Sequence, residues 1–276
     1  MSTVTMKRIF LIAMVVVLIF RIGNVISVGF EKYQCSRMLD AIESNDMEQL
    51  RNAAECGDPN STLGISWLES LLFIESSRQT PLQAACEKGD FEMVKILVEN
   101  GADVNYRPLN AHHPALNYAV DSDSEETLDI VRYLINNGVY ADPIKRPTRS
   151  PVFILLNDNK LPPNGMEILK ELMKVVKDKQ SELYLKSACS WKHEEAIRFL
   201  VEEYGFDASN PYYLCAYCYG VTEYSRETFE YFLKRGADPY AKDEYGKCAI
   251  DYLKESSAPE WAETVAEMAK EYGFEG

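Results

Sequence analysis

Cys215 and Cys218 stand at CxxC spacing, which can hold a metal ion or run thiol–disulfide exchange. A structural zinc site needs four ligands, and no second CxxC or spaced histidine pair completes this one. The only histidines are His112, His113 and His193, the last about 80 residues beyond the others. The sequence contains no HExxH, GxSxG, GxxxxGKS/T or GxGxxG and no twelve-residue calcium loop. Its 43 Asp and Glu side chains are spread among apolar positions, as on a solvated helix face. The expectation is a protein without catalytic, cofactor or metal sites, whose chemistry is non-covalent recognition.

Charge narrows what could be recognised. The net charge is -14, and the first thirty residues hold only basic groups: Lys7, Arg8 and Arg21. The remaining body is therefore more acidic than the whole, and phosphate backbones and anionic lipids would repel it. Nucleic acid is excluded as a partner, and a basic protein surface fits. Ile9–Phe20 is an uninterrupted apolar run behind Lys7 and Arg8, the layout of an export signal. Twelve residues cannot span a bilayer, but continuing through Arg21 to Phe30 reaches the required length. Residues 1–30 are expected to be a signal peptide, cleaved after Ser27 or Gly29, or a retained membrane anchor. Either way Lys7 and Arg8 hold the N-terminus in the cytoplasm and the body lies beyond the membrane.

The body, 31–276, is periodic. In TPLQAACEKGDFEMVKILVENGADVN, residues 80–105, Thr80 can cap a helix and Pro81 suits its first turn. Leu82, Ala85 and Cys86 make one apolar stripe, Gly89 stops the helix and Asp90 caps the next. Val94, Leu97 and Val98 face inward, and Gly101-Ala102-Asp103 turns the chain. Copies recur at Pro114, Pro151, Tyr184, Tyr213 and Ala249, in steps of 33, 37, 33, 29 and 36 residues. A further unit precedes them, over Met38–Ile42, Met47–Ala54 and Gly57–Asn60. This pattern resembles the ankyrin repeat, a turn and two helices in about 33 residues. The resemblance implies an all-α solenoid of about seven helix–turn–helix units with protruding loops. Most of the seven cysteines (Cys35, Cys56, Cys86, Cys189, Cys215, Cys218 and Cys248) fall where such a repeat wants a small core residue. An insertion at about 61–78, containing Trp67, Leu71, Leu72 and Phe73, is expected to pack on the N-terminal units or to form a binding lip.

Seventeen tyrosines are a heavy load, and many lie near connections rather than helix centres. Tyrosine gives large contact area at low entropy cost and concentrates at interface hot spots. The ankyrin resemblance implies binding through loop tips and inner-helix faces, here Glu87, Tyr106, Arg107, His112, Asp121, Trp191, Tyr212, Tyr219, Tyr240 and Tyr245. With an export-like front end, the chain is similar to exported bacterial ankyrin proteins. That resemblance implies a periplasmic immunity protein of type VI secretion systems, which occludes a toxic hydrolase such as a lipase or phospholipase. The alternative is a membrane-tethered envelope scaffold or a periplasmic protein of oxidative-stress protection. Membrane contact, where the segment stays uncleaved, is confined to the N-terminal segment.

Overall fold

The computed structural model describes residues 3–63, 79–107, 113–141, 150–219 and 224–276. Among these every regular element is a helix. The chain divides into two compact units, Met1–Tyr118 and Ala119–Gly276.

The first unit holds α1 (Thr3–Ser44), α2 (Met47–Cys56), α3 (Pro81–Lys88) and α4 (Phe91–Glu99). The C-terminal part of α1 packs on α3, and α2 packs on α4, so inner and outer helices form two layers. Cys35, Met38 and Ala41 of α1 meet the apolar stripe Leu82, Ala85, Cys86 of α3, and all are buried. A helix α5, Ala115–Val120, follows.

Local chemistry starts α3 and α4 where the sequence predicts. The Thr80 hydroxyl accepts from the Gln83 N–H at 3.1 Å, and the Gln83 side chain accepts from the Thr80 N–H at 2.9 Å. This reciprocal capping box satisfies two backbone donors that the first turn leaves without partners. The Gln83 amide also donates to the His113 carbonyl at 3.0 Å, joining α3 to the next repeat. Asp90 accepts from the Met93 N–H at 2.9 Å and caps α4. Asn60 ties successive loops, donating to the Gly101 carbonyl at 3.1 Å and accepting from the Asp103 N–H at 2.7 Å.

The second unit contains α6 (Thr127–Asn136), α7 (Pro151–Leu156), α8 (Gly165–Val175), α9 (Glu182–Ser190), α10 (Glu194–Tyr204), α11 (Pro211–Cys218), α12 (Arg226–Lys234), α13 (Ala249–Glu255) and α14 (Glu260–Glu271). Inner helices stack in the order α7, α9, α11, α13. Behind them α6, α8 and α10 form an outer row, and α12 packs on α14. The Ser150 hydroxyl does not cap α7; it pairs with the Tyr184 hydroxyl of the next repeat at 2.8 Å.

In several repeats the turns use a left-handed residue. After the inner helix this is Gly89 at φ +71°, and the following Asp90 N–H reaches back to the Ala85 carbonyl. Asn45 and Lys192 occupy the equivalent turns at φ +61° and +59°, with the same bond from Asp46 to Ala41 and from His193 to Ala188. Asn tolerates this region; a lysine there costs about 1–2 kcal/mol. After the outer helix, glycines 101, 138, 205, 236 and 273 fill the role. α2 and α8 depart from this, ending at Gly57 with φ -116° and at Val176 with φ -68°.

All seven cysteines are free thiols; six are buried and Cys56 is exposed. Burial pushes the thiols of Cys86 and Cys189 far up, which keeps them protonated and unreactive. The insertion falls almost wholly outside the described residues, as does His112.

Replacing Thr80 by Ala should destabilise the fold by about 1 kcal/mol, the usual worth of an N-cap. Urea denaturation should show a lower midpoint for Thr80→Ala and a nearly unchanged one for Thr80→Ser. Equal midpoints for Thr80→Ala and wild type would mean that Gln83 alone holds this turn.

Candidate functional site

Three of the tyrosines expected to bind a partner converge on the second unit. Tyr212, Tyr219 and Tyr245 line a cleft of about 520 Å³, together with Lys186, Ser190, Cys215, Ala216, Asp243, Lys247 and Tyr252. The sequence positions this wall simply. Tyr212 and Cys215 are spaced i, i+3 on one face of α11, and Tyr219 caps the end of that helix in an extended conformation. Lys186 and Ser190 are one turn apart on α9, and Tyr252 lies on α13.

A loop from Asp238 to Cys248 closes one end, and Asp243 organises it. Its carboxylate accepts from the Tyr252 hydroxyl at 2.6 Å, the Tyr245 N–H at 2.9 Å and the Lys247 N–H at 3.1 Å. Burial works to raise the Asp243 pKa, but these donors outweigh it and hold the carboxyl below its usual range. Tyr245 is thereby presented at the tip, 74% exposed. Tyr219 is 65% exposed and meets the edge of the Tyr252 ring at 5.8 Å. The Lys186 ammonium lies 4.5 Å over the Tyr212 ring. A hydrogen bond to the Tyr212 hydroxyl raises its pKa, so it is charged at neutral pH. Lys247 pairs with Glu255 at 2.5 Å.

Behind this wall lies an aromatic core. Tyr217 is fully buried and packs edge-on against Phe229 at 5.3 Å, while Trp261 meets Phe229 at a tilt at 5.5 Å and Tyr224 edge-on at 6.0 Å. The Tyr217 hydroxyl donates to Glu194 at 3.0 Å and accepts from the Ser225 N–H at 3.1 Å. Lys192 reaches into this cluster from its left-handed turn. Its ammonium lies 5.4 Å from the Tyr217 ring and 5.3 Å from the Tyr224 ring, and donates to the Tyr219 carbonyl at 3.1 Å. Burial pushes the Lys192 amine down to about 8.

The other expected residues lie apart from the cleft. Glu87 is exposed on α3 and accepts from the Gln79 amide at 2.6 Å. Tyr106 is exposed and Arg107 half-buried in the turn beyond Asp103. Asp121 is exposed after α5, and Trp191 is half-buried at the end of α9. The Tyr240 ring lies against Gly276, away from the cleft lining. Sequence reasoning missed Lys186, Tyr252 and Lys192. The first two were hidden because each comes from a different repeat. Lys192 had a legible signal: it stands where other inner turns have Gly89 or Asn45.

His193 is also structural, its Nε2 lying 2.8 Å from the Asp158 carbonyl, with its pKa lowered by burial. Cys215 and Cys218 are both buried, and burial raises both thiols, Cys215 to about 12. Among the described residues no three His, Cys, Asp or Glu side chains gather as metal ligands. The CxxC pair instead fills the small core positions of α11.

Lys192 gives a pH signature. Its folded pKa lies below the ordinary lysine value, so the unfolded chain binds the extra proton between about pH 8 and the ordinary value near 10.4. Wild-type stability should rise through that window relative to Lys192→Met, which keeps the aliphatic body and lacks the charge. Urea midpoints at pH 7, 8, 9 and 10 measure the difference; a difference that stays flat would mean the amine is not desolvated.

Comparison with known proteins was informative at the level of fold. Residues 40–146 match the family model described as ankyrin repeats (3 copies). The human ASB11 ankyrin repeat domain superposes with a TM-score of 0.62 at 20% identity, covering 83% of this chain and 96% of that one. A chain from the Bdellovibrio bacteriovorus complex of predatory endopeptidase Bd0816 with immunity protein Bd3460 gives a TM-score of 0.49 at 19% identity, covering 84% and 97%. No curated protein sequence matches the chain. The helix pairs, their left-handed turns, the repeat match and the superposition together make this chain an all-α ankyrin-repeat solenoid.

Proposed function

We propose that this chain works by binding a protein, with the tyrosine cleft of its second unit as the anchor point. The observation that carries the reading is the convergence of Tyr212, Tyr219, Tyr245 and Tyr252 on one cleft, with Tyr219 and Tyr245 still largely exposed. Large aromatic surface left in water and held on a rigid scaffold is what interface hot spots are built from. A cleft of about 520 Å³ seats a few side chains and no more. A stable protein complex buries roughly 1,200–2,000 Å² in all, so the cleft would be the centre of a wider contact.

The partner is a basic protein. From Ala119 onward the chain carries 29 Asp and Glu against 19 Lys and Arg. Such a field accelerates encounter with a positive surface and disfavours an acidic one. The finer reading is immunity: the chain stands in the periplasm and occludes a toxic hydrolase by covering its active site or its route to the membrane. Occlusion needs a preformed surface rather than reactive groups, in keeping with the six cysteines that burial makes inert. The second reading, a tethered envelope scaffold, is favoured by one observation, the unbroken apolar helix at the N-terminus.

Recovery of complexes from envelope and secreted extracts of the source cell, read by mass spectrometry, tests the two readings. Immunity expects a basic hydrolase at one-to-one stoichiometry whose activity is lost in the complex. A hydrolase that stays active, or resident envelope proteins in its place, moves the assignment to scaffolding. With the partner in hand, Tyr219→Ala combined with Tyr245→Ala should weaken binding by roughly 30-fold or more, the factor for two hot-spot side chains at about 1 kcal/mol each or above. Tyr140→Ala, exposed outside the cleft, serves as the comparison. Equal affinities for all three proteins would remove the cleft from the interface.

A further inference from the structure

We infer that α1 is a retained membrane stem, crossing a lipid bilayer over about residues 9–30 and entering the first repeat without a joint. This does not rest on the reading of the cleft.

The first observation is exposure on every side. Val15, Val16, Val17 and Leu18 are consecutive, so they point in four directions about 100° apart around the helix. They are 46%, 59%, 58% and 60% exposed, and Ile19, Ile22, Ile26 and Val28 are exposed by half or more. A helix that docks in a groove or lies flat on a membrane keeps one polar face. One that is apolar all round is surrounded by apolar solvent on all sides. The bilayer interior supplies that, and it imposes no backbone penalty because an α-helix satisfies its own N–H and C=O groups.

Length agrees. Ile9 to Phe30 is 22 residues, about 33 Å at 1.5 Å per residue, against a hydrocarbon core of about 30 Å. Fifteen of the 22 are Ile, Leu, Val or Phe, and Arg21 is the single charge between Arg8 and Glu31. Arg21 lies near the middle, where a long side chain must reach toward headgroups or pair with another helix. At the far end polarity returns abruptly with Glu31 and Lys32, and Tyr33 is 60% exposed at the level where aromatic side chains favour the interface.

Continuity is the second observation. α1 continues to Ser44, and Gln34 and Cys35 are already buried in the first unit. Only five residues separate Phe30 from Cys35, a rise of about 7.5 Å. The repeats therefore begin within one and a half turns of the bilayer surface, and with Lys7 and Arg8 on the cytoplasmic side they face the opposite compartment.

The test uses the full chain made in a bacterial expression host. Membranes are washed with alkaline carbonate and floated through a density gradient, and the intact mass of the floating protein is measured. The expected result is a 31.4 kDa chain that floats with lipid. A shorter chain starting after Ser27 or Gly29 and recovered in the soluble fraction overturns the proposal. So does a full-length chain left at the bottom, whether as a soluble oligomer that buries α1 between copies or as an aggregate. Val16→Lys combined with Leu18→Lys places two charges in the stem and none in the repeats. The variant should lose flotation while the urea midpoint of the repeats stays where it is in wild type; retained flotation would overturn the assignment of these residues to the bilayer.

Discussion

No helix pair in this chain can bury its own apolar face, and the architecture of each unit follows from that constraint. α3 is eight residues long and α7 only six, too short to persist alone in water. They persist because a neighbouring repeat covers them, and the covering works only when the two are close. That is why the inner stripes are built from Ala and Cys as well as Leu: Ala85, Cys86, Ala188, Cys189 and Cys215 let backbones approach. The cysteines are thus spacers, and burial that makes them good spacers also makes them poor nucleophiles. Side chains that cross between repeats, such as Gln83 to His113 and Ser150 to Tyr184, then fix the register of the stack.

Most of this was legible because it is local. Thr80, Pro81, Gly89, Asp90 and Gly101 each act within a few residues of where they stand, so their types and spacing announce helix starts and stops. The exceptions have physical causes. The outer helix of the third repeat has no glycine after it and ends on an extended Val176, so it leaves no turn signal. Lys192 takes a glycine's conformation, and only burial between Tyr217 and Tyr224 explains why a lysine is tolerated there. Tyr212 could be picked out as a loop-tip residue and Tyr219 as an inner-helix position, because the repeat pattern places both. The cleft itself could not, because Lys186, Tyr219 and Tyr252 meet only when three repeats stack, and their sequence separations carry no trace of it.

The tyrosines divide by the same logic. Tyr184, Tyr213, Tyr217 and Tyr231 are buried, each in a repeat interior that has room for a ring. Those at the ends of helices or the tips of loops stay in water: Tyr140, Tyr219 and Tyr245. Arg198 and Arg235 lie over the Tyr231 ring at 4.8 and 3.6 Å, which brings cations onto an outer surface otherwise rich in carboxylates. Exposed ion pairs there, such as Arg235 with Glu202 at 3.3 Å, contribute little to stability. Their effect is to keep the acidic character of the unit from being uniform.

The length of α1 has a mechanical consequence. Forty-two residues form a rod about 63 Å long, with no proline in it and its backbone ladder intact from Thr3 to Ser44. A rod of this kind resists bending and twisting, so its two ends cannot reorient separately. Turning the first unit about the rod's axis requires turning the rod, and tilting one tilts the other. Most tethered domains swing on a flexible leash and search a hemisphere for their partner. On the reading of α1 as a membrane stem, the first unit is held at a set angle and height, trading reach for aim.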